Sequence, residues 1–116
     1  MSGDRPFVRK AAEIEPVPCP CGQSRRIVTG RDNDRASIHR VSIDGRAQTH
    51  YHQRLTEYYI VLDGTGVVEL DGEEVLVEPG DVIYIPPGTR HALHGRFEII
   101  NVVVPPFDAA DEFVTE

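Results

Sequence analysis

The chain has 116 residues, of which 40% are hydrophobic and 27% are charged, a composition that predicts one folded globular domain rather than a disordered chain. Twelve basic and nineteen acidic residues give a net charge of −7, which repels phosphate-rich surfaces, so we expect neither nucleic acid nor a membrane as a partner. No apolar run approaches the roughly 20 residues of a spanning helix, and the first residues lack the apolar stretch of a secretory signal, which predicts a cytoplasmic protein.

Residues 1–35 are predicted to form an irregular N-terminal arm, because four prolines between positions 6 and 20 rule out a long helix. Within this arm, Cys19 and Cys21 stand on either side of Pro20. A disulfide between cysteines with one intervening residue would be strained, and two thiols alone cannot complete a structural zinc site. We therefore expect two reduced thiols in a proline-rich turn, and the alternative is a redox-active or metal-capturing pair.

Residues 36–104 contain short β-like runs separated by turn signals. The runs cover residues 38–43, 57–62, 67–70, 74–77, 81–85 and 97–104. Three of them end at Asp44-Gly45, Asp63-Gly64 and Asp71-Gly72, and a fourth ends at Pro86-Pro87-Gly88. The dipeptide Asp71-Gly72 predicts a two-residue hairpin. Seven or eight short strands without sustained helical periodicity predict an all-β sandwich or barrel in a single domain.

The last run, residues 97–104, is apolar on both faces, whereas a small barrel has one face in water. This pattern predicts a second covered surface, which a homodimer interface or the N-terminal arm would supply. Residues 105–116 are predicted to form a C-terminal tail with one helical turn capped by Asp108.

The placement of the histidines points to a metal site. His50 and His52 are two residues apart, so on a strand both imidazoles face the same side. Glu57 follows at the start of the next apolar run, and His91 follows the Pro86-Pro87-Gly88 turn. Three imidazoles and one carboxylate converging in a barrel form a transition-metal site with open coordination positions. The sequence therefore predicts one divalent metal as cofactor, and these ligands suit Fe, Mn, Ni, Cu and Zn alike.

Two segments around these residues resemble the two sequence motifs of the cupin family. The first motif is matched by Gly45, His50, His52, Glu57 and Gly64, and the second by Gly80, Pro86, Gly88 and His91. Two positions depart from the family pattern: four residues rather than five separate Gly45 from His50, and Gly95 stands where asparagine usually ends the second motif. Neither departure involves one of the four predicted ligands.

The resemblance spans about residues 37–104 and implies a small, single-domain cupin of the conserved-barrel, cupin 2 type. It implies a double-stranded β-helix, or jelly-roll barrel, over residues 36–104. It also implies a homodimer, since proteins of this type are usually dimeric. It also implies that the metal is held by His50, His52, Glu57 and His91. The family includes dioxygenases, sugar-phosphate isomerases and epimerases, decarboxylases, storage proteins and sensor domains, so the resemblance leaves the reaction open.

Further side chains are candidates for the pocket around the metal. Alternation from the paired histidines places Gln48 on the inner face, where it could bind substrate. Tyr59 also points inward and is either a proton donor or a core residue, and His39 is either a buried neutral imidazole or an acid–base group. We expect His94 at the surface or an interface, and Arg90 could hold an anionic substrate group.

These features favour a metal-dependent enzyme, either a dioxygenase or an isomerase or lyase, acting on a small organic molecule. The alternative is a non-catalytic, metal-containing module that binds a small ligand or stabilises a structure. No glycine-rich phosphate loop is present in the sequence, which disfavours a polyphosphate substrate.

Overall fold

A computed structural model describes residues 5–115 of the chain. Over this range the chain forms nine β-strands and two short 3-10 helices, which confirms the predicted all-β class. The strands are β1 (Val17–Cys19), β2 (Gly22–Val28), β3 (Ser37–Arg46), β4 (His50–Tyr51), β5 (Thr56–Leu70), β6 (Glu73–Val77), β7 (Val82–Ile85), β8 (His91–Val104) and β9 (Phe113–Val114). The 3-10 helices are η1 (Ala11–Glu13) and η2 (Ala109–Asp111). Within the described range, no helix has the length and apolar character needed to cross a membrane.

The two longest strands, β5 and β8, form the centre of the sheet. They pair antiparallel along most of their lengths, from Thr56 opposite Val104 to Leu70 opposite His91. β3 pairs with the other edge of β8, and β2 and β1 continue the sheet beyond β3. β6 and β7 pair with the free edge of β5. The sheet curls into a half-barrel, so one face encloses the interior.

The interior is packed by alternate residues of the long strands, as the two-residue period of a strand requires. Val41 of β3, Val61 of β5, and Phe97 and Ile99 of β8 are each at most 2% exposed and belong to one apolar cluster. The same alternation on β5 puts Glu57 on the inner face, where the site described below is built.

The N-terminal stretch is not irregular throughout, contrary to the prediction. Residues 17–28 form the β1–β2 hairpin, and β2 pairs antiparallel with β3, with Gln23 opposite Ser42 and Val28 opposite Ile38. The prolines exclude a long α-helix, but they are compatible with an edge strand. Pro18 lies in β1, which is the last strand on that side of the sheet.

The three Asp-Gly dipeptides have different structures. Asp71-Gly72 joins β5 to β6 as the predicted two-residue hairpin, with Leu70 opposite Glu73. Gly45, however, lies inside β3, and Gly64 lies inside β5, so neither dipeptide ends its strand. Both strands continue because β8 supplies hydrogen-bond partners for them on its two edges, which a local turn signal does not reveal.

Gly64 allows β5 and β8 to approach closely just after the shift in their pairing register between Val61 and Asp63. Its φ is +95°, and a β-carbon at this position would collide with the carbonyl oxygen of Arg96 on β8. We expect Gly64→Ala to lower the free energy of unfolding by about 3 kcal/mol or more, because it adds backbone strain to overpacking. Urea unfolding followed by circular dichroism measures this loss.

Gly72 provides the matched control for this substitution. Its φ is +88°, but nothing lies within 4 Å of the position that a β-carbon would take, so Gly72→Ala adds only the conformational cost of about 1–2 kcal/mol. If the two variants lose the same free energy of unfolding, the close approach of β8 does not prevent a side chain at position 64.

Candidate metal centre

Four buried side chains from three regions of the chain meet inside the curled sheet. His50 begins β4, His52 directly follows that strand, Glu57 lies near the start of β5, and His91 begins β8. Each is between 0% and 3% exposed, and one ligand atom from each lies within 4.8 Å of all the others. The strand pairing itself brings two of them together, since His50 is opposite His91 in the pairing of β4 with β8. The structure thus brings together the four residues that the sequence singles out as ligands.

The three imidazoles are oriented by hydrogen bonds to backbone carbonyls. The Nδ1 atom of His50 lies 2.9 Å from the carbonyl oxygen of Gln48, and that of His91 lies 2.9 Å from the carbonyl oxygen of Thr89. The Nδ1 atom of His52 lies 2.8 Å from the carbonyl oxygen of Asp111. A carbonyl can only accept, so each Nδ1 donates, and in the neutral form of each ring the lone pair on Nε2 faces the site and can bind a cation.

The carboxylate of Glu57 is held in a similar way. Its Oε2 atom accepts a hydrogen bond from the Asn101 amide at 2.9 Å. Its Oε1 atom lies 3.3 Å from Nε2 of His52 and 3.0 Å from Nε2 of His91. These three atoms are buried, and none has a well-directed hydrogen bond to the described residues. A divalent cation bound among them would satisfy all three, so the donor set fits a metal.

The pKa values of the site residues also favour the binding of a cation. Burial raises the pKa of Glu57, but the neighbouring His52 and His91 outweigh burial and hold the pKa well below its ordinary value. Burial, together with the charge of His91, lowers the pKa of His50 to about 4, so at neutral pH this imidazole is unprotonated. Burial alone would lower the pKa of His52, but Glu57 raises it above the ordinary value. Cation binding would therefore release a proton from His52 at pH values near its raised pKa.

The C-terminal tail completes the site, and the sequence patterns do not reveal this. The predicted turn is present as η2, in which Asp108 accepts a hydrogen bond from the backbone N–H of Ala110. β9 then pairs with β4, with Val114 opposite His50. Asp111, whose carbonyl accepts from His52, is 5% exposed, and its carboxylate accepts hydrogen bonds from three successive backbone N–H groups, at residues 53–55. The tail therefore orients His52 and holds the loop of residues 53–55, which follows His52 in the chain.

A small cavity of about 20 Å³, enough for one water molecule, adjoins the four-residue group. His50 and Glu57 line it together with His39, Tyr59 and Glu112. Tyr59 packs in the apolar core, and its ring centroid lies 6.0 Å from that of His91. Burial raises the pKa of the Tyr59 hydroxyl well above its ordinary value, so this group stays protonated.

His39 faces the cavity as a neutral imidazole. Its Nδ1 atom lies 3.3 Å from the Ser24 hydroxyl and its Nε2 atom 2.9 Å from the Ser37 hydroxyl. Burial, assisted by the charge of Arg26, lowers the pKa of His39 to about 4. His39 is thus a buried and hydrogen-bonded side chain that lines the cavity.

The depressed pKa of His39 predicts a loss of stability in acid. The unfolded chain, with a histidine pKa near 6.5, takes up the proton before the folded chain does. The neutral His39 therefore contributes fully to the free energy of unfolding above pH 6.5. This contribution, about 3 kcal/mol in total, is lost as the pH falls towards about 4. We expect urea unfolding between pH 7 and pH 4.5 to show a steeper fall for the unmodified chain than for His39→Gln. Parallel curves for the two proteins would contradict this assignment.

Three other candidates lie away from the cavity. The alternation that predicts Gln48 on the inner face fails because β4 begins only at His50, and the Gln48 side chain is exposed. His94 pairs with Glu69 on β5, with 3.2 Å between Nε2 and Oε1, and lies outside the four-residue group. Arg90 is exposed and stacks over the ring of Tyr51, 4.7 Å from its centroid.

The cysteines differ from the prediction of reduced thiols. Cys19 and Cys21 form a disulfide, and their Cα atoms are 5.1 Å apart. The pair closes the tip of the β1–β2 hairpin, where Cys19 is opposite Gly22 and the chain reverses direction. This reversal brings the two side chains together, which an extended strand with the same one-residue spacing would not do. Both cysteines line the small cavity.

Comparison with solved structures finds close matches over nearly the whole chain. A protein from Planctomyces limnophilus superposes with a TM-score of 0.91 and 39% sequence identity, covering 97% of this chain and 99% of that one. The nucleoside dehydratase Pac13 superposes with a TM-score of 0.80 and 28% identity, covering 96% of this chain and 95% of that one. Structures of Streptomyces Pac13 variants have been determined with uridine.

Sequence comparison gives a consistent result. The profile of the family described as "Cupin domain" matches residues 38–104. An uncharacterised protein of Methanocaldococcus jannaschii is 32% identical over 80 residues, which are 66% of this chain and 64% of that protein. Quercetin 2,3-dioxygenase of Bacillus subtilis is 32% identical over 90 residues, which are 72% of this chain but 27% of the dioxygenase. The chain therefore spans less than two thirds of the length of either relative.

Proposed function

The chain belongs to the cupin family, and on that premise we propose that it is a metal-dependent lyase or isomerase acting on a small, hydroxyl-bearing organic molecule. The observation that carries this proposal is the buried group of three oriented imidazoles and one carboxylate beside a cavity that also contains a neutral histidine. The similarity to a nucleoside dehydratase of nearly the same length supports a lyase. The quercetin dioxygenase supports an oxygenase less strongly, because the matched region is only 27% of that enzyme.

We assign the metal to His50, His52, Glu57 and His91. When bound, a divalent transition metal supplies a Lewis acid that polarises a hydroxyl or carbonyl oxygen of the substrate. The ion is one of Fe, Mn, Ni, Cu or Zn, since imidazole and carboxylate ligands suit them all. The backbone carbonyls that hold each Nδ1 keep the imidazoles in position, so the chain needs little rearrangement to bind the ion.

We assign His39 the role of general base. His39 lines the cavity beside His50 and Glu57, and its imidazole is unprotonated at neutral pH, so one ring nitrogen has a lone pair that can accept a proton from a substrate carbon or hydroxyl. Ser24 and Ser37 fix the ring by their contacts with its two nitrogens, so one of these hydroxyls must move aside when the proton is transferred. Tyr59, which packs in the apolar core, is assigned to packing rather than to proton transfer.

The test is turnover by metal-loaded protein of a panel of nucleosides, sugars and hydroxy acids, with loss of water or isomerisation followed by mass spectrometry and NMR. We expect His39→Gln to lower kcat by about 100-fold or more without changing the metal content. His94→Gln is the matched control, because His94 lies outside the site, and it should retain activity. Equal activity of the two variants would remove His39 from the mechanism.

A second candidate function is a non-catalytic, metal-binding module, and the size of the inner cavity favours it. A volume of about 20 Å³ holds a water molecule or an ion but not a whole organic molecule, so a substrate can enter only in part unless lining residues move. Binding of small molecules without turnover of any compound in the panel would support the module and contradict the enzyme.

We also propose that the protein is a cytoplasmic homodimer. The outward face of β5 and β7 exposes an apolar patch formed by Tyr58, Ile60, Val82 and Tyr84, each between 36% and 62% exposed. We expect Val82→Glu combined with Tyr84→Glu to convert a dimer into a monomer, measured by light scattering after size exclusion. Leu76→Glu is the control, because Leu76 is 80% exposed on the neighbouring β6. A monomeric unmodified protein would contradict the proposal.

A further inference from the structure

A disulfide lies beside the candidate metal centre, and the function proposed above gives it no role. Cys19 ends β1, and Cys21 lies in the turn that leads to β2. Both cysteines line the cavity that also contains His50 and Glu57, and both pack against the apolar core. The two sulfur atoms and two of the proposed metal ligands therefore adjoin one small space.

Two hydrogen bonds connect the disulfide loop to one ligand. The carbonyl oxygen of Pro20, the residue between the two cysteines, accepts from the backbone N–H of Gln48 at 3.0 Å. The carbonyl oxygen of Gln48 accepts from Nδ1 of His50 at 2.9 Å. The position of Pro20 therefore influences the peptide that orients His50. Proline has no N–H, so this carbonyl is the only backbone group through which Pro20 can make such a connection.

We propose that Cys19 and Cys21 form a reversible thiol–disulfide site that controls how tightly the centre binds its metal. The proposal rests on the proposed function in one respect, namely that the four-residue group binds a metal. The co-reactant is a low-molecular-weight thiol such as glutathione. A thiolate attacks one sulfur of the disulfide and forms a mixed disulfide, while the other cysteine leaves as a thiolate and takes up a proton. A second thiol then releases the first cysteine, so two thiols are oxidised to one disulfide and the protein gains two thiol groups.

The position of the loop explains why this bond is important for the site. β1 has three residues and, among the described residues, pairs with β2 alone, so the hairpin tip is held by few backbone hydrogen bonds. The disulfide restricts the loop and thereby fixes Pro20 against Gln48. Reduction allows the loop more conformations, so the peptide that orients His50 is less fixed and metal binding requires more ordering.

The loop also suits reversible exchange. Cys19 and Cys21 are partly exposed at the end of an edge hairpin, so a small thiol can approach from solvent. In a cytoplasmic protein, which we propose this to be, disulfides are usually transient or redox-sensing rather than structural.

The first experiment tests the exchange itself. The full-length protein is equilibrated in glutathione buffers of increasing reducing strength, treated with N-ethylmaleimide and weighed by mass spectrometry without denaturant. We expect no adduct in oxidising buffers and two adducts in reducing buffers, with the change reversed on reoxidation. Two adducts in every buffer, or none in any buffer, would overturn the proposal.

The second experiment tests the coupling to the metal centre. Oxidised and reduced protein, freed of reductant under nitrogen, are titrated with Co²⁺ and followed by its visible absorption. We expect the reduced form to bind about tenfold more weakly, the size of effect typical of groups that orient metal ligands. The double variant Cys19→Ser/Cys21→Ser, which keeps the loop open without thiols, should bind like the reduced form whether or not it has been treated with reductant.

The outcomes separate this inference from the proposed function. Equal Co²⁺ affinity in the oxidised and reduced forms overturns the redox coupling but leaves the metal site in place. Tighter binding by the reduced form, absent from the double serine variant, also overturns it, because the sulfur atoms would then act as ligands. Absence of Co²⁺ binding in both forms contradicts the proposed metal site, and with it this inference.

Discussion

Replacing His52 by alanine is expected to lower the affinity for a divalent metal by at least about 100-fold while leaving the sheet folded. The substitution removes one of four converging ligands, and His52 is the ligand whose Nε2 lies 3.3 Å from Glu57. It also leaves the Asp111 carbonyl without its donor, at a cost of about 1–3 kcal/mol in the free energy of unfolding. The apolar core does not include His52, so the fold survives this loss.

Elemental analysis of dialysed protein and Co²⁺ titration measure the affinity, and circular dichroism checks the fold. His94→Ala is the matched control, since His94 is also a largely buried histidine that faces a glutamate but lies outside the group. We expect this control to keep one metal per chain. Stoichiometric metal in His52→Ala would show that His52 is not a ligand and would remove the basis of the proposed function.

The convergence of the four residues could be predicted because it depends on strand geometry. A strand turns every second side chain to the same face, so His50 and His52 share a side in any regular extended segment. The approach of His91 follows from the antiparallel pairing of β8 with β4, which the two family motifs imply but which periodicity alone does not show. The same alternation misplaces Gln48, since it applies only where the chain is extended and β4 begins two residues later.

The N-terminal hairpin and its disulfide could not be predicted from local patterns. Four prolines in the first 20 residues indicate an irregular segment, and residues 22–28 form a strand because they pair with the edge of β3. The spacing of Cys19 and Cys21 disfavours a disulfide in an extended chain, but the turn at Pro20 brings their Cα atoms to 5.1 Å, close enough for the bond. The strand depends on a partner distant in the sequence, whereas the disulfide depends on the turn between its own two cysteines.

The contribution of the tail is also non-local, because Asp111 contacts residues more than 50 positions earlier in the chain. A lone aspartate in a tail resembles a solvated residue, and the only local signal there is the capping of η2 by Asp108. What distinguishes Asp111 is its 5% exposure and its three backbone donors, which together explain why a carboxylate is stable in a buried position.

Asp111→Ala is therefore expected to have a large effect on stability, lowering the free energy of unfolding by about 3–5 kcal/mol. The substitution leaves the backbone N–H groups of Gln53, Arg54 and Leu55 without their acceptor. Since the loop then loses its anchor and η2 moves relative to it, the carbonyl that orients His52 is displaced as well. We expect Co²⁺ affinity to fall by about 10-fold or more in the same variant.

Urea unfolding and Co²⁺ titration of the same preparations measure both effects, and Asp108→Ala is the matched control. Asp108 lies in the same tail, caps η2 and pairs with Arg54, but its side chain is 49% exposed. We expect this control to cost no more than about 1–2 kcal/mol and to leave the metal affinity unchanged. If Asp111→Ala lowers stability but binds Co²⁺ as tightly as the unmodified protein, the tail stabilises the fold without orienting His52. Indistinguishable stabilities for the two variants would mean that the three backbone hydrogen bonds do not anchor the loop.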